Sequence, residues 1–115
     1  SASITPSSSS SKVLILVTQV FYVSAGGADT GGATCIVRDS TTIFGSSNNN
    51  SIYVFANVTS GDTALMVYTS MNYLDSPATT SSTTYKTQMK AQNSGTITAQ
   101  GNNNISSITL LEIAA

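Results

Sequence analysis

The sequence predicts an all-β chain of eight or nine short strands arranged as a sandwich or barrel, in a single domain spanning residues 1–115. Three observations carry that expectation. Val, Ile, Thr, Tyr and Phe, which suit a pleated and half-buried surface, make up 42 of the 115 residues. No window shows an apolar stripe at i, i+3, i+4, i+7, so the helical period is missing. Tracts rich in Ser, Asn, Gly and Asp recur between short apolar runs, as turns do between the strands of a sandwich.

Taken in order, the first strand is expected over 3–5, followed by Pro6 and five serines at 7–11. Residues 1–11 thus read as an N-terminal arm and serine-rich loop. A long strand over 12–24 begins with Val13-Leu-Ile-Leu-Val17. The cluster Gly26-Gly-Ala-Asp-Thr-Gly-Gly32 reads as a flexible hairpin loop before strands at 33–39 and 41–45. Ser46-Ser-Asn-Asn-Asn50 separates these from a strand at 51–58, and Ser60-Gly-Asp62 leads into one at 63–74. Beyond Asp75-Ser-Pro-Ala-Thr79 come strands at 83–91, 95–100 and 106–113, divided by Asn93-Ser-Gly95 and Gly101-Asn-Asn-Asn104.

Several of these strands are apolar on both pleat faces: Val13–Val17, Ala64–Tyr68 and Ile108–Ile113 do not alternate with polar residues. A strand with one wet face should alternate, so each needs cover on both sides. One cover is the sandwich core. With no sequence left for covering helices, the other is a neighbouring subunit, or else long loops lying over central strands. The first reading makes the chain a homo-oligomer with Leu14, Leu16, Leu65, Val67 and Leu110 at the interface. A surface of Ser, Thr and Asn, 46 residues in all, with only 8% charged residues, fits an assembled β protein.

The missing residue types narrow the chemistry. Without histidine there is no Ser-His-Asp or Cys-His triad and no imidazole metal site. Cys35 is the only cysteine and reads as a small buried apolar residue. Asp29, Asp62 and Asp75 lie near glycines or before Ser-Pro and read as turn formers. No spacing pairs two carboxylates for glycoside chemistry, and no phosphate-binding glycine motif or nucleophile elbow occurs. No catalytic residue, metal or cofactor is expected. Lys12, Arg38, Lys86 and Lys90 are too few for a nucleic-acid footprint. The apolar run at 13–17 is too short to cross a membrane and lacks the charged flank of a signal peptide, so no membrane insertion is expected. Arg38 is expected to pair with Asp39 or with an acid of a neighbouring subunit.

Binding must then come from loops and aromatic rings. Tyrosine offers a sugar an apolar face and a hydroxyl; among the five in the chain, Tyr53 and Tyr85 are the two most open to exposure, although packing in the core or a subunit interface is the leading reading for each. Asn48, Asn49 and Asn50, and Asn102, Asn103 and Asn104, place amide donors and acceptors at loop tips, where hydroxyl-rich ligands could bind or a turn could simply form. Asn49, Asn57 and Asn104 also match the glycosylation acceptor pattern.

The tracts Tyr73-Leu-Asp-Ser-Pro-Ala-Thr-Thr-Ser-Ser-Thr-Thr-Tyr-Lys86, Asn93-Ser-Gly-Thr-Ile97 and Ser106-Ser-Ile-Thr-Leu-Leu-Glu-Ile113 resemble the C-terminal end of tail-fibre and virion structural proteins of aquatic bacteriophages and some algal viruses. Ser3-Ile-Thr-Pro-Ser-Ser-Ser-Ser-Ser-Lys-Val-Leu-Ile-Leu-Val17 and Arg38-Asp-Ser-Thr-Thr-Ile-Phe-Gly45 resemble the opening strands and middle hairpin of the same domain. The resemblance implies an antiparallel β-sandwich of about eight strands with jelly-roll-like character, forming a homotrimeric head at the end of a longer fibre protein, located on the virion or outside the cell, that contacts a host-surface glycan or protein. Loops 26–32, 46–51 and 101–104 would present that surface, with Asn48, Asn49, Asn50, Tyr53 and Asn102, Asn103, Asn104 as contact residues. The alternative is a purely structural subunit of an extracellular filament or capsid decoration, its arm 1–11 adding a strand to a neighbour's sheet.

Overall fold

The computed structural model of the chain describes residues 1–26, 29–45, 52–57, 61–93 and 95–115, the side chains of residues 52 and 53 excepted. Among them are nine strands: β1 (Ala2–Ile4), β2 (Lys12–Gly26), β3 (Thr30–Arg38), β4 (Thr41–Phe44), β5 (Ile52–Ala56), β6 (Asp62–Asp75), β7 (Thr83–Asn93), β8 (Thr96–Ala99) and β9 (Ser107–Ile113). A single 3-10 turn, Gly101–Asn103, is the one helical element described. The strands form a five-stranded sheet in the order β1-β7-β3-β4, with β5 also on β3, and a four-stranded sheet in the order β6-β2-β8, with β9 also on β2. All pairings are antiparallel and the two sheets pack face to face, so the chain is a β-sandwich. Successive strands change sheet at each step from β1 to β3 and again from β5 to β8, while β3, β4 and β5 stay in one sheet and β8 and β9 in the other.

β2 is the spine of the four-stranded sheet. One edge pairs with β6 in unbroken register from Val13↔Asp75 to Gly26↔Asp62. The other edge is shared end to end, β9 taking Lys12 to Thr18 and β8 taking Phe21 to Ser24. Odd residues of β2 point inward and divide the core in two. Val13, Ile15 and Val17 pack with Ile36, Met71 and Tyr85, while Phe21 and Val23 pack with Val67.

Between the two clusters sits Gln19, 5% exposed, whose amide spans the sheets. Its Nε2 donates to Ser106 Oγ (3.0 Å) and to Val20 O (2.9 Å), and its Oε1 accepts from Thr87 Oγ1 of β7 (2.7 Å). A buried amide with these partners avoids the cost of an orphaned polar group.

A second polar bridge ties the sheets near the start of β2. Asp75, at the end of β6, accepts two bonds from Arg38 Nη1 (2.9 and 3.1 Å) and one from the Tyr85 hydroxyl (2.8 Å). Two expectations are corrected here. Asp75 is buried rather than a turn former, and Arg38 pairs with it rather than with Asp39 or another subunit. Asp39 instead accepts from the Thr84 N–H (3.0 Å). Of the two readings of Tyr85, packing in the core is the one observed: its ring fills the inter-sheet core with no exposure and its hydroxyl finds a charged partner there.

The glycine cluster also departs from the loop expectation. Gly31 and Gly32 are buried strand residues of β3, which starts three residues earlier than the apolar pattern indicates. A Cβ on Gly32 would lie 2.9 Å from Phe21 and Ile97, and one on Gly31 would lie 2.4 Å from the Val54 carbonyl. These glycines admit close packing of ring and backbone instead of making a turn.

Candidate functional site

Most of the large apolar side chains left exposed, Tyr68, Leu74, Leu111 and Ile113, lie on the outer face of the four-stranded sheet. Even-numbered residues of β2 point there, and the register fixes their neighbours. Leu14 lies between Leu74 of β6 and Leu111 of β9, forming a three-strand leucine row. Leu16 follows between Asn72 and Thr109, and Lys12 pairs with Ile113. Leu74, Leu111 and Ile113 are 47%, 45% and 43% exposed, while Leu14 and Leu16 are half-buried between their neighbours. Isolated surface leucines need no explanation, whereas these three stand side by side across three strands as one apolar row.

Of the five residues expected at a subunit interface, only Leu14 and Leu16 belong to this face. Val67 and Leu65 pack inward against Phe21 and Val23, and Leu110 packs against the cluster of Val13, Ile15 and Val17. The pleat explains the split. β6 and β9 carry apolar residues at consecutive positions, so one of each pair must face the core while its neighbour faces out.

The middle of the same face is capped by residues 100–106, which leave the sheet between β8 and β9. Gln100 N–H donates to Val20 O (3.0 Å), and the Val20 N–H donates to Ser106 Oγ (2.9 Å), so the gap in the β2 ladder is closed by the cap itself. Gly101 sits over Tyr22, where a Cβ would lie 2.7 Å from the Tyr22 Cβ. Asn104 locks the cap: its Oδ1 accepts from the Tyr68 hydroxyl (2.8 Å) and its Nδ2 donates to Gly101 O (2.7 Å). Asn104 is therefore a fastening residue. Asn102 and Asn103 are exposed at the tip, both in the left-handed region at φ 58° and 61°. Asn48, Asn49 and Asn50 and the side chain of Tyr53 lie outside the described residues.

Beyond the cap, the same face ends in a shallow groove of about 400 Å³, lined by Tyr22, Ser24, Asp62, Thr63 and Thr96 among others. It combines an aromatic ring, hydroxyls and a carboxylate. Neither Tyr22 nor Asp62 was singled out as a contact residue by sequence, because the groove is assembled from β2, β6 and β8 by register alone.

No group of three or more Cys, Asp or Glu side chains is placed to hold a metal ion among the described residues. Burial raises the Cys35 thiol, partly offset by the Gln88 backbone N–H, so little thiolate forms near neutral pH. Burial, reinforced by the hydrogen bond to Asp75, pushes the Tyr85 hydroxyl far above its ordinary range. Glu112 moves the other way: the Ser7 hydroxyl (2.6 Å) and N–H (2.7 Å) hold its carboxyl below the usual range. Each of these groups is tied to packing or to a loop.

No helix among the described residues is long and apolar enough to cross a membrane. No protein-family model, curated protein or solved structure matches the chain.

Proposed function

We propose that the chain is a non-enzymatic structural domain of a viral fibre tip, which trimerises through the outer face of its four-stranded sheet and contacts a host-surface receptor at the opposite end of that face. The leucine row Leu74–Leu14–Leu111 carries the reading. It leaves apolar area open on a chain with few charged residues, and such area is most readily covered by another copy of the same patch around a symmetry axis. The sequence resemblance to tail-fibre ends supplies the class, and with it a place on the virion.

The receptor end would be the groove beside Tyr22 and Asp62, with the exposed Asn102 and Asn103 on the cap next to it. A tyrosine ring and a carboxylate flanked by hydroxyls suit a glycan, whose CH face stacks on the ring while its diols donate to the acid. Glycan-array binding of the wild type and of Tyr22→Ala tests the receptor part. Binding that disappears in the variant supports a glycan contact, and an array without any hit favours the purely structural subunit.

A further inference from the structure

The groove beyond the cap holds an acid and no base. Register places its parts along β2: Tyr22 lies between Met66 and Thr98, Ser24 between Ala64 and Thr96, and Gly26 beside Asp62. The side chains in the middle are small, so the floor dips between the Tyr22 ring at one end and the Asp62 carboxylate at the other. A Cβ on Gly26 would lie 3.5 Å from Asp62 Oδ1, which puts the carboxylate over the end of β2 rather than away from it. β9 ends beside Lys12 at the far end of β2, and β1 lies in the other sheet, so neither end of the chain frames the groove.

Among the described residues Asp62 has no hydrogen bond or ion pair. The four bases of the chain are placed elsewhere. Lys12 begins β2 at its opposite end, Arg38 is held by Asp75, and Lys86 and Lys90 are on β7 in the five-stranded sheet. A ligand carboxylate in this groove would thus meet a like charge with no base to offset it, whereas an ammonium would donate a charge-assisted bond to Asp62. Length adds a second condition. Four residues separate Tyr22 from Gly26, about 13 Å of extended chain, so a single pyranose ring cannot stack on the tyrosine and reach the acid together.

Resting on the reading of this groove as the receptor end, we propose that its ligand is an oligosaccharide of at least two rings carrying a free amino group. One ring stacks on Tyr22, the ammonium of a neighbouring ring donates to Asp62, and glycans bearing carboxylates are turned away.

The probes are the β-1,4-linked tetrasaccharides of glucosamine, N-acetylglucosamine and mannuronic acid, titrated into the 15N-labelled chain at about pH 6, where the amine is protonated. Saturable amide shifts on Tyr22, Ser24, Ala64 and Thr96 are expected from the glucosamine tetramer. The acetylated tetramer should bind about two- to fivefold more weakly, the range an exposed ion pair provides, and the mannuronic tetramer more weakly still. Monomeric glucosamine should be weaker than its tetramer by about tenfold or more. Asp62→Asn, a substitution of the same shape at an exposed site, should abolish the preference for the amino form, and added salt should narrow it. Equal binding of the amino and acetylated tetramers, mannuronic binding as tight as either, or a preference that survives Asp62→Asn would each overturn the inference, while Tyr22-dependent binding in those cases would leave the receptor reading standing. No saturable shift from any tetramer at millimolar concentration would overturn it as well, and the glycan array then judges the receptor reading separately.

Discussion

The two sheets treat their outer faces differently. In the five-stranded sheet, the outward residues of β3 are Gly31, Ala33, Cys35 and Val37, all buried although they face away from the core. They are small, and their neighbours are long: Lys86 stands across from Val37, Gln88 from Cys35 and Lys90 from Ala33, while the Phe55 ring lies against Gly31. Aliphatic stems and one ring finish the burial within the chain. In the four-stranded sheet the outward residues are themselves large, and Leu74, Leu14 and Leu111 stand side by side with Leu74 and Leu111 left 47% and 45% exposed. Apolar residues on both faces of a strand therefore do not by themselves announce a subunit contact. What matters is whether the neighbours are large enough to cover them.

Adjacent residues of β6 sharpen that contrast most strongly. Asp75 points inward and Leu74 outward. Asp75→Ala should cost about 3–5 kcal/mol, because it strands the Arg38 guanidinium at a partly buried site and removes the Tyr85 partner. Chemical denaturation measures it, and a loss below about 1 kcal/mol would mean that the bridge does not hold the sheets together. On the covered face, Gly31→Val should cost about 1–3 kcal/mol by forcing β5 away from β3, seen as loss of amide protection in Ile52–Ala56. Next comes Gln19→Leu, which leaves Thr87 and Ser106 without their amide partner and should cost about 1–3 kcal/mol while loosening the residue 100–106 cap. Leu74→Ser should change the stability of the single chain by no more than about 0.5 kcal/mol, since that side chain is half-exposed, and act on association instead.

Two further effects depend on pH. The Glu112 carboxyl is held low in the folded chain, so its contribution is present above the ordinary carboxylate range and is lost as pH falls through its folded value. Ser7→Ala should flatten that acidic limb of a stability profile. Tyr85 acts at the other end. Its folded hydroxyl titrates higher than in the unfolded chain, so stability falls as pH rises above about 10, where only the unfolded state ionises. Tyr85→Phe should remove this alkaline slope.

The strand count and the sheet class were legible because β-branched runs and turn tracts mark strands locally. Cys35 was legible for the same reason, as an apolar position inside a strand. What the sequence left hidden depends on long-range register. Tyr85 sits in a polar-looking run, Thr83-Thr-Tyr-Lys86, yet the register with Arg38 places it over Asp75. Gly31 and Gly32 carry the composition of a loop, and only the approach of Phe21 and Val54 shows why a strand needs glycine there. The Tyr68–Asn104 fastening joins residues 36 apart with no motif between them. Leu65 and Leu74 look alike in sequence but differ in pleat phase, and phase decides which meets the core.

Multi-angle light scattering of the wild type and of Leu74→Ser with Leu111→Ser, at micromolar concentration in low and in 1 M salt, tests the open leucine face most directly. The wild type should be a trimer that salt does not dissociate, and the variant a folded monomer. A monomeric wild type, or a variant that remains trimeric, would contradict this.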